Sequence, residues 1–212
     1  MVIRLSPRLA PLQVMVSQKT EFKPPENILS ESIKHILITG LPGTGKTTLV
    51  KKVIKHLLES KTTNIDGFIT EEARNDRNQR TGFYVRLIHS EKTTILADKK
   101  KQPLSPDIKY LGSYTVYIKQ FEESVLDIIS KFEKGILIID EIGKMELFSR
   151  NFEEAVTKAL NKPDVRIIAT VPTKGPTFVE RLKKDPKCHL LNVTIDNRDC
   201  LVETILSLTH IN

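Results

Sequence analysis

From Ser32 onward the apolar positions switch repeatedly between two periods. His35-Ile36-Leu37-Ile38-Thr39 is a short apolar run that stops at Gly40, the pattern of a strand buried on both faces. Residues 47–60 instead put Leu49, Val50, Val53, Ile54, Leu57 and Leu58 on one side at helical spacing, with lysines opposite. The same reasoning predicts strands over Ile65–Thr70, Phe83–Ile88, Thr93–Ala97, Tyr114–Ile118, Gly135–Asp140, Val165–Val171 and His189–Ile195. It predicts helices over 119–133, 149–161, 176–184 and 197–208. Helix and strand alternate in the second half, which implies an α/β fold with a mostly parallel central sheet and helices on both faces. The stretch 64–118 is richer in strands and reads as an insertion. Residues 1–33 hold four of the eleven prolines, no glycine and neither period, so they read as a poorly ordered or extended arm before a domain at 34–212.

Composition narrows the partners. A chain of 212 residues suffices for one core, and 33 Lys and Arg against 26 Asp and Glu leave +7, which favours polyanions: nucleotides, nucleic acid or an anionic membrane. No apolar run nears the ~18 residues of a membrane span, so no membrane partner is predicted. Lys99-Lys100-Lys101 with Pro103 and Pro106 reads as a solvated loop. With 6% aromatics, no Trp and no ring beside those lysines in sequence, a nucleic-acid partner has little support. Cys188 and Cys200 are too few for a disulfide framework, and with no secretory signal they read as free thiols in a reducing, cytoplasmic setting. The acid-free first twenty residues, with Arg4, Arg8 and Lys19, leave mitochondrial import as the alternative. His189 beside Cys188 lacks a second pair at metal-ligand spacing, so no zinc site is expected. Nothing in the pattern reports on oligomeric state.

Chemistry enters at Gly40-Leu41-Pro42-Gly43-Thr44-Gly45-Lys46-Thr47-Thr48, a full G-x-x-x-x-G-K-[ST] match placed after a predicted strand and opening a predicted helix. The glycines let successive N–H groups turn toward phosphate oxygens, the helix N-terminus adds its positive end, and Lys46 reaches the β- and γ-phosphates. Thr47 offers a hydroxyl to Mg²⁺. A metal on a phosphate loop needs an acid at the tip of a neighbouring buried strand, and Gly135-Ile136-Leu137-Ile138-Ile139-Asp140-Glu141 supplies Asp140 for it. Glu141, next to that acid, is placed to take a proton from, or orient, a water lined up on the γ-phosphate.

Two strings imitate a GTPase: Asp140-Glu141-Ile142-Gly143 matches D-x-x-G, and Asn161-Lys162-Pro163-Asp164 matches N-K-x-D. Only seventeen residues separate them, room at ~1.5 Å per helical residue for one helix and a turn. Asn161 also ends a helix rather than a strand, with Pro163 barring continuation, so guanine selectivity is not expected from this motif.

The residues resemble one family, the cancer-related nucleoside-triphosphatases and thermophile nucleoside-triphosphate phosphatases, from about His35 to the C-terminus. The resemblance rests on the phosphate loop, Asp66–Arg74 (DGFITEEAR), Arg80-Thr81-Gly82-Phe83, the block Ile139–Ser149 (IDEIGKMELFS), Ala169–Pro172 and Asn192–Arg198. It implies a RecA-like P-loop fold that hydrolyses ATP, GTP, CTP and UTP to the diphosphate with Mg²⁺ and loose base selectivity. It further implies that Lys46 and Thr47 bind phosphate and metal, Asp140 serves the metal and Glu141 is the activating carboxylate. Arg80 becomes the candidate for neutralising charge on the γ-phosphate, with Arg74, Arg77 and Lys144 as competitors. Asn197 and Arg198 match the segment that sits by the base; Asp196 or Asn197 capping the last helix is the plainer alternative. Ile69 and Ala73 depart from the family's more usual aromatic and valine, and the 72–82 loop is longer and more polar than the family pattern. Two other functions stay open on the residues: a P-loop kinase delivering the phosphoryl group to a nucleotide or RNA end, and a nucleotide-timed nucleic-acid-binding module.

Overall fold

The computed structural model describes residues 33–209 except Thr62, Glu91 and Leu104; the predicted arm, apart from Ile33, lies outside the described residues. The chain runs β1 (His35–Thr39), α1 (Lys46–Ser60), β2 (Ile65–Arg74), β3 (Arg80–Leu87), β4 (Thr93–Asp98), β5 (Ile108–Leu111), β6 (Tyr114–Tyr117), α2 (Ile118–Lys131) and β7 (Gly135–Asp140). A short 3-10 turn, Glu146–Phe148, precedes α3 (Arg150–Asn161), β8 (Val165–Thr170), α4 (Thr177–Leu182), β9 (Cys188–Asn192) and α5 (Leu201–Thr209).

All nine strands share one sheet in the order β5-β6-β4-β3-β2-β7-β8-β1-β9. From β2 to β9 every pairing is parallel. From β2 outward to β5 every pairing is antiparallel, so the strand-rich stretch prolongs the central sheet as a wing. Helices α2, α3 and α4 pack on one face around Phe68, Phe121 and Phe152, whose ring centroids lie 5.1 to 6.1 Å apart in edge-on geometry. Helices α1 and α5 cover the other face through Leu49, Val50, Val53, Leu57, Val202 and Ile205. The period changes seen in the sequence follow from this layering: parallel strands between helices are apolar throughout, whereas the helices bury one stripe.

Several boundaries differ from expectation, each for a local reason. β2 continues to Arg74 and β3 begins at Arg80, because the β2–β3 hairpin projects past the core and its side chains beyond Thr70 are no longer required to be apolar. β5 is unpredicted; it is four residues long, none of them fully buried, and a two-residue Gly112-Ser113 turn with Gly112 at φ 59° joins it to β6. β9 stops at Asn192 and α5 starts only at Leu201, since the segment between them is held as a turn by Asn197. His35, at the start of β1, is fully buried: Nε2 donates to Leu160 O (3.0 Å) and Nδ1 accepts from Ile167 N (3.0 Å). Burial away from water pushes this imidazole down to about 4.

Candidate functional site

Parallel strands end together, and the ends of β1, β7 and β8 bring the predicted residues to one edge. After β1 the chain turns through Gly40, where a Cβ would stand 2.4 Å from Val193 O, and Gly45, at φ 98°, opens α1. No acid occupies the first turn of α1, so its N–H groups face the loop uncompensated. Lys46 bends back so that Nζ donates to Gly40 O (2.9 Å) and Leu41 O (3.3 Å), and Thr44 Oγ1 donates to Leu41 O (2.9 Å).

Asp140 closes β7 and is almost wholly buried. Its Oδ1 accepts from the Thr170 hydroxyl of β8, and the Thr47 hydroxyl lies close enough to lower its carboxyl pKa. Burial raises this carboxyl above its ordinary range, against the two hydroxyls and the Lys46 charge, which lower it. Oδ2 is buried without a hydrogen-bond partner. A carboxylate with one orphaned oxygen beside a threonine hydroxyl is an oxygen donor set that fits a hard divalent cation such as Mg²⁺. Glu141 follows across a cis peptide, and burial first, then the Asp140 charge, raises its carboxyl.

The turn after β7 holds a residue that sequence reasoning missed. Glu146 is 5% exposed, and its Oε2 accepts from Gly143 N (3.1 Å). A Cβ on Gly143 would lie 2.8 Å from Glu141 Oε1 and 2.9 Å from Glu146 Oε2, so both carboxyl groups close over this one α-carbon. Gly143 leaves room for both carboxyl groups, and its φ is not in the left-handed region. Burial, then the Glu141 charge, pushes Glu146 up to about 8. The only sequence signal was an acid amid the apolar residues of IDEIGKMELFS, of which Met145 and Leu147 pack against the core.

The remaining predicted residues divide. Arg198 joins the phosphate loop: a Cβ on Gly45 would stand 3.2 Å from its Cδ and 3.4 Å from Nη1. The Asn197 side chain is spent on its own backbone, Oδ1 accepting from Thr194 N (2.8 Å) and Nδ2 donating to Asn192 O (2.9 Å). It holds the turn behind Gly40 and does not cap α5, which starts four residues later. Arg80 is not drawn to Lys46, Thr47 and Asp140. Ile69 of β2 pairs with Asp140, and Arg80 pairs with Arg74, five residues further along β2, roughly 16 Å at ~3.3 Å per residue. There Arg80 is ion-paired with Glu72, which also holds Arg74, and stacks over Phe83 at 5.2 Å. Arg77 and Lys144 are exposed. The N-K-x-D string lies at the opposite edge of the sheet, before β8; Lys162 Nζ donates there to Ser130 O (2.7 Å) and Phe132 O (2.8 Å). Among the described residues no helix is long and apolar enough to cross a membrane, and Cys188 and Cys200 are free thiols.

Strand, glycine loop, helix and a buried aspartate beside the threonine that follows the lysine define a P-loop protein of the α/β class. Comparison with known proteins narrows the class. A family model described as NTPase matches residues 35–206, and the chain belongs to this family. It is 39% identical over 183 residues to the nucleoside-triphosphatase THEP1 of Aquifex aeolicus, covering 82% of this chain and 97% of that protein. It is 36% identical over 188 residues to the mouse cancer-related nucleoside-triphosphatase homolog, covering 84% and 97%. The crystal structure of the Aquifex aeolicus THEP1 superposes with a TM-score of 0.71 at 37% identity, over 83% of this chain and 99% of that one.

Proposed function

We propose that the protein hydrolyses nucleoside triphosphates to the diphosphate and inorganic phosphate, with Mg²⁺ and with broad base selectivity across ATP, GTP, CTP and UTP. The observation that carries this reading is the buried Asp140 at the end of β7, with one oxygen orphaned, beside Thr47 and with Glu141 next in the chain. Thr47 and Asp140 would hold the metal, whose chemistry is to draw charge from the β- and γ-phosphate oxygens. The loop N–H groups from Gly40 to Thr48 receive phosphate oxygens, and Lys46 exchanges its carbonyl partners for the β- and γ-phosphates. Glu141 accepts a proton from water as the water oxygen bonds to the γ-phosphorus; the bond from that phosphorus to the bridging oxygen breaks, and the diphosphate leaves. Its raised carboxyl makes it a stronger proton acceptor than an ordinary glutamate. Arg198 contacts the nucleotide over Gly45, while Arg80 takes a charge-neutralising role only after leaving Glu72.

Broad selectivity is supported by what flanks the loop. Leu41 and Ile195, both 66% exposed, set apolar side chains beside the loop. Apolar contact holds a base without reading its edge. The test is phosphate release from the four triphosphates in Mg²⁺ and in EDTA. Comparable release from all four, lost in EDTA, is expected. Release that appears only with an added nucleoside, nucleotide or RNA acceptor would replace this reading with a phosphoryl transferase.

A further inference from the structure

The chain's positive charge is concentrated in one part of the fold. Residues 74–119, from the end of β2 to the start of α2, contain ten Lys and Arg and four Asp and Glu, and among the described residues only Arg74, Arg80 and Arg86 of the ten are paired, with the preceding Glu71 and Glu72. All four tyrosines, Tyr84, Tyr110, Tyr114 and Tyr117, lie in the same stretch. Strand direction gathers the important ones on one rim. β4 runs parallel to β2 and ends at the edge where Asp140 ends β7; β5 ends and β6 begins at that edge too. The loop after β4 (Lys99–Lys101), the end of β5 (Lys109, Tyr110) and the start of β6 (Tyr114) therefore continue the nucleotide edge. They lie three to five strand spacings to the side of β7, about 14–24 Å at ~4.8 Å each, and about 13 Å further along the strands than Asp140, since Asp98 pairs with Gly82 and Gly82 with Ala73, four residues beyond Ile69.

Contacts make this rim more than a wet loop. Lys99 Nζ lies over the Tyr114 ring at 5.7 Å, and Tyr114 meets Phe83 edge-on at 5.3 Å. The rings absent beside these lysines in sequence are thus supplied by neighbouring strands. The lysine loop is tied in place: Lys100 N donates to Asp98 Oδ1 (2.8 Å), the Thr115 hydroxyl donates to Lys100 O, and the Tyr110 hydroxyl donates to Gln102 O. Tyr110 is 42% exposed. Among the described residues no carboxylate pairs with Lys99, Lys100, Lys101 or Lys109, whereas Lys51, Lys52, Lys131, Lys162 and Lys183 each have one.

We infer that this rim binds single-stranded nucleic acid, its backbone phosphates on the four lysines and an unpaired base on Tyr110. Unpaired lysines on an ordered loop match the electrostatic half of such a site, and exposed rings match the stacking half. A lipid surface would ask instead for protruding apolar side chains, and Tyr110 is the sole large exposed one among the described residues of this wing. A duplex would leave Tyr110 without a base to stack on. The inference does not depend on the hydrolysis reading, because none of these residues belongs to the phosphate loop or the β7 end.

The test is fluorescence anisotropy of a labelled 20-nucleotide oligouridine titrated with the full chain in EDTA at 50 mM salt. Saturable binding is expected, with a slope of about −3 in log affinity against log salt for four neutralised phosphates. Lys99→Glu, Lys100→Glu and Lys101→Glu combined should weaken it at least tenfold, and Tyr110→Ala about tenfold by lost stacking. Both variants should keep the parent's melting temperature and rate of triphosphate hydrolysis. Absence of saturable binding, affinity unchanged in both variants, equal affinity for a duplex of the same length, or tighter binding to phosphatidylserine vesicles would each overturn the assignment.

Discussion

Glu146→Gln isolates the energetics of the turn behind Glu141. The amide keeps an oxygen for Gly143 N but removes the proton site. In the unfolded chain the Glu146 carboxyl ionises near its ordinary 4.5, whereas in the fold it is pushed up to about 8 by burial and by Glu141. A raised carboxyl favours the folded state fully below the unfolded value. Stability is then lost as pH climbs toward the folded value, because only the unfolded chain gains by releasing the proton. At about 1.4 kcal/mol per pH unit, the interval from 4.5 to about 8 corresponds to something on the order of 5 kcal/mol. Urea unfolding of the parent and Glu146→Gln at pH 5, 6, 7, 8 and 9, in EDTA, reads it directly. Asp140 and Lys46 are common to both proteins, so the difference reports Glu146 and its coupling to Glu141. The variant should gain on the parent by several kcal/mol between pH 5 and 8 and then level off. A difference that stays flat over that range would mean that Glu146 ionises normally, and the argument from its burial would fail.

Two further predictions concern the scaffold. Phe152→Ala removes a fully buried ring in edge contact with Phe68 and Phe121, and should cost about 3–5 kcal/mol in urea unfolding at constant pH; a cost under about 1 kcal/mol would show that the three-ring cluster does not hold α2 and α3 on the sheet. His35 should remain neutral at pH 5.5 as the Nε2–H tautomer in nitrogen-detected imidazole spectra, since its pKa is held at about 4, and a protonated ring at that pH would contradict the buried bridge between Leu160 and Ile167.

What the sequence made legible is what short range determines. The phosphate loop and the Asp140-Glu141 pair are contiguous strings whose strand and helix context is written in the neighbouring apolar period, and both lie at the edge where β1 and β7 end. Arg80 was assigned through resemblance; its place depends on how far the β2–β3 hairpin projects, which the exposed residues beyond Thr70 do not encode. Asn197 was placed beside the base through resemblance, and only the fold reveals that its amide also holds its own turn. Glu146 and the Lys99–Tyr114 stack share one cause: each depends on groups brought together by the turn after β7 or by the order of the wing strands. No local pattern carries that information.

The central claim, that Glu141 activates water on a nucleotide held by the phosphate loop, is tested most directly by Glu141→Gln. Phosphate release and nucleotide binding would be measured on the same preparation with Mg²⁺. The account predicts a fall in kcat of at least about 100-fold, with nucleotide affinity within a few-fold of the parent. Turnover within about tenfold of the parent would contradict it, and so would loss of binding together with turnover.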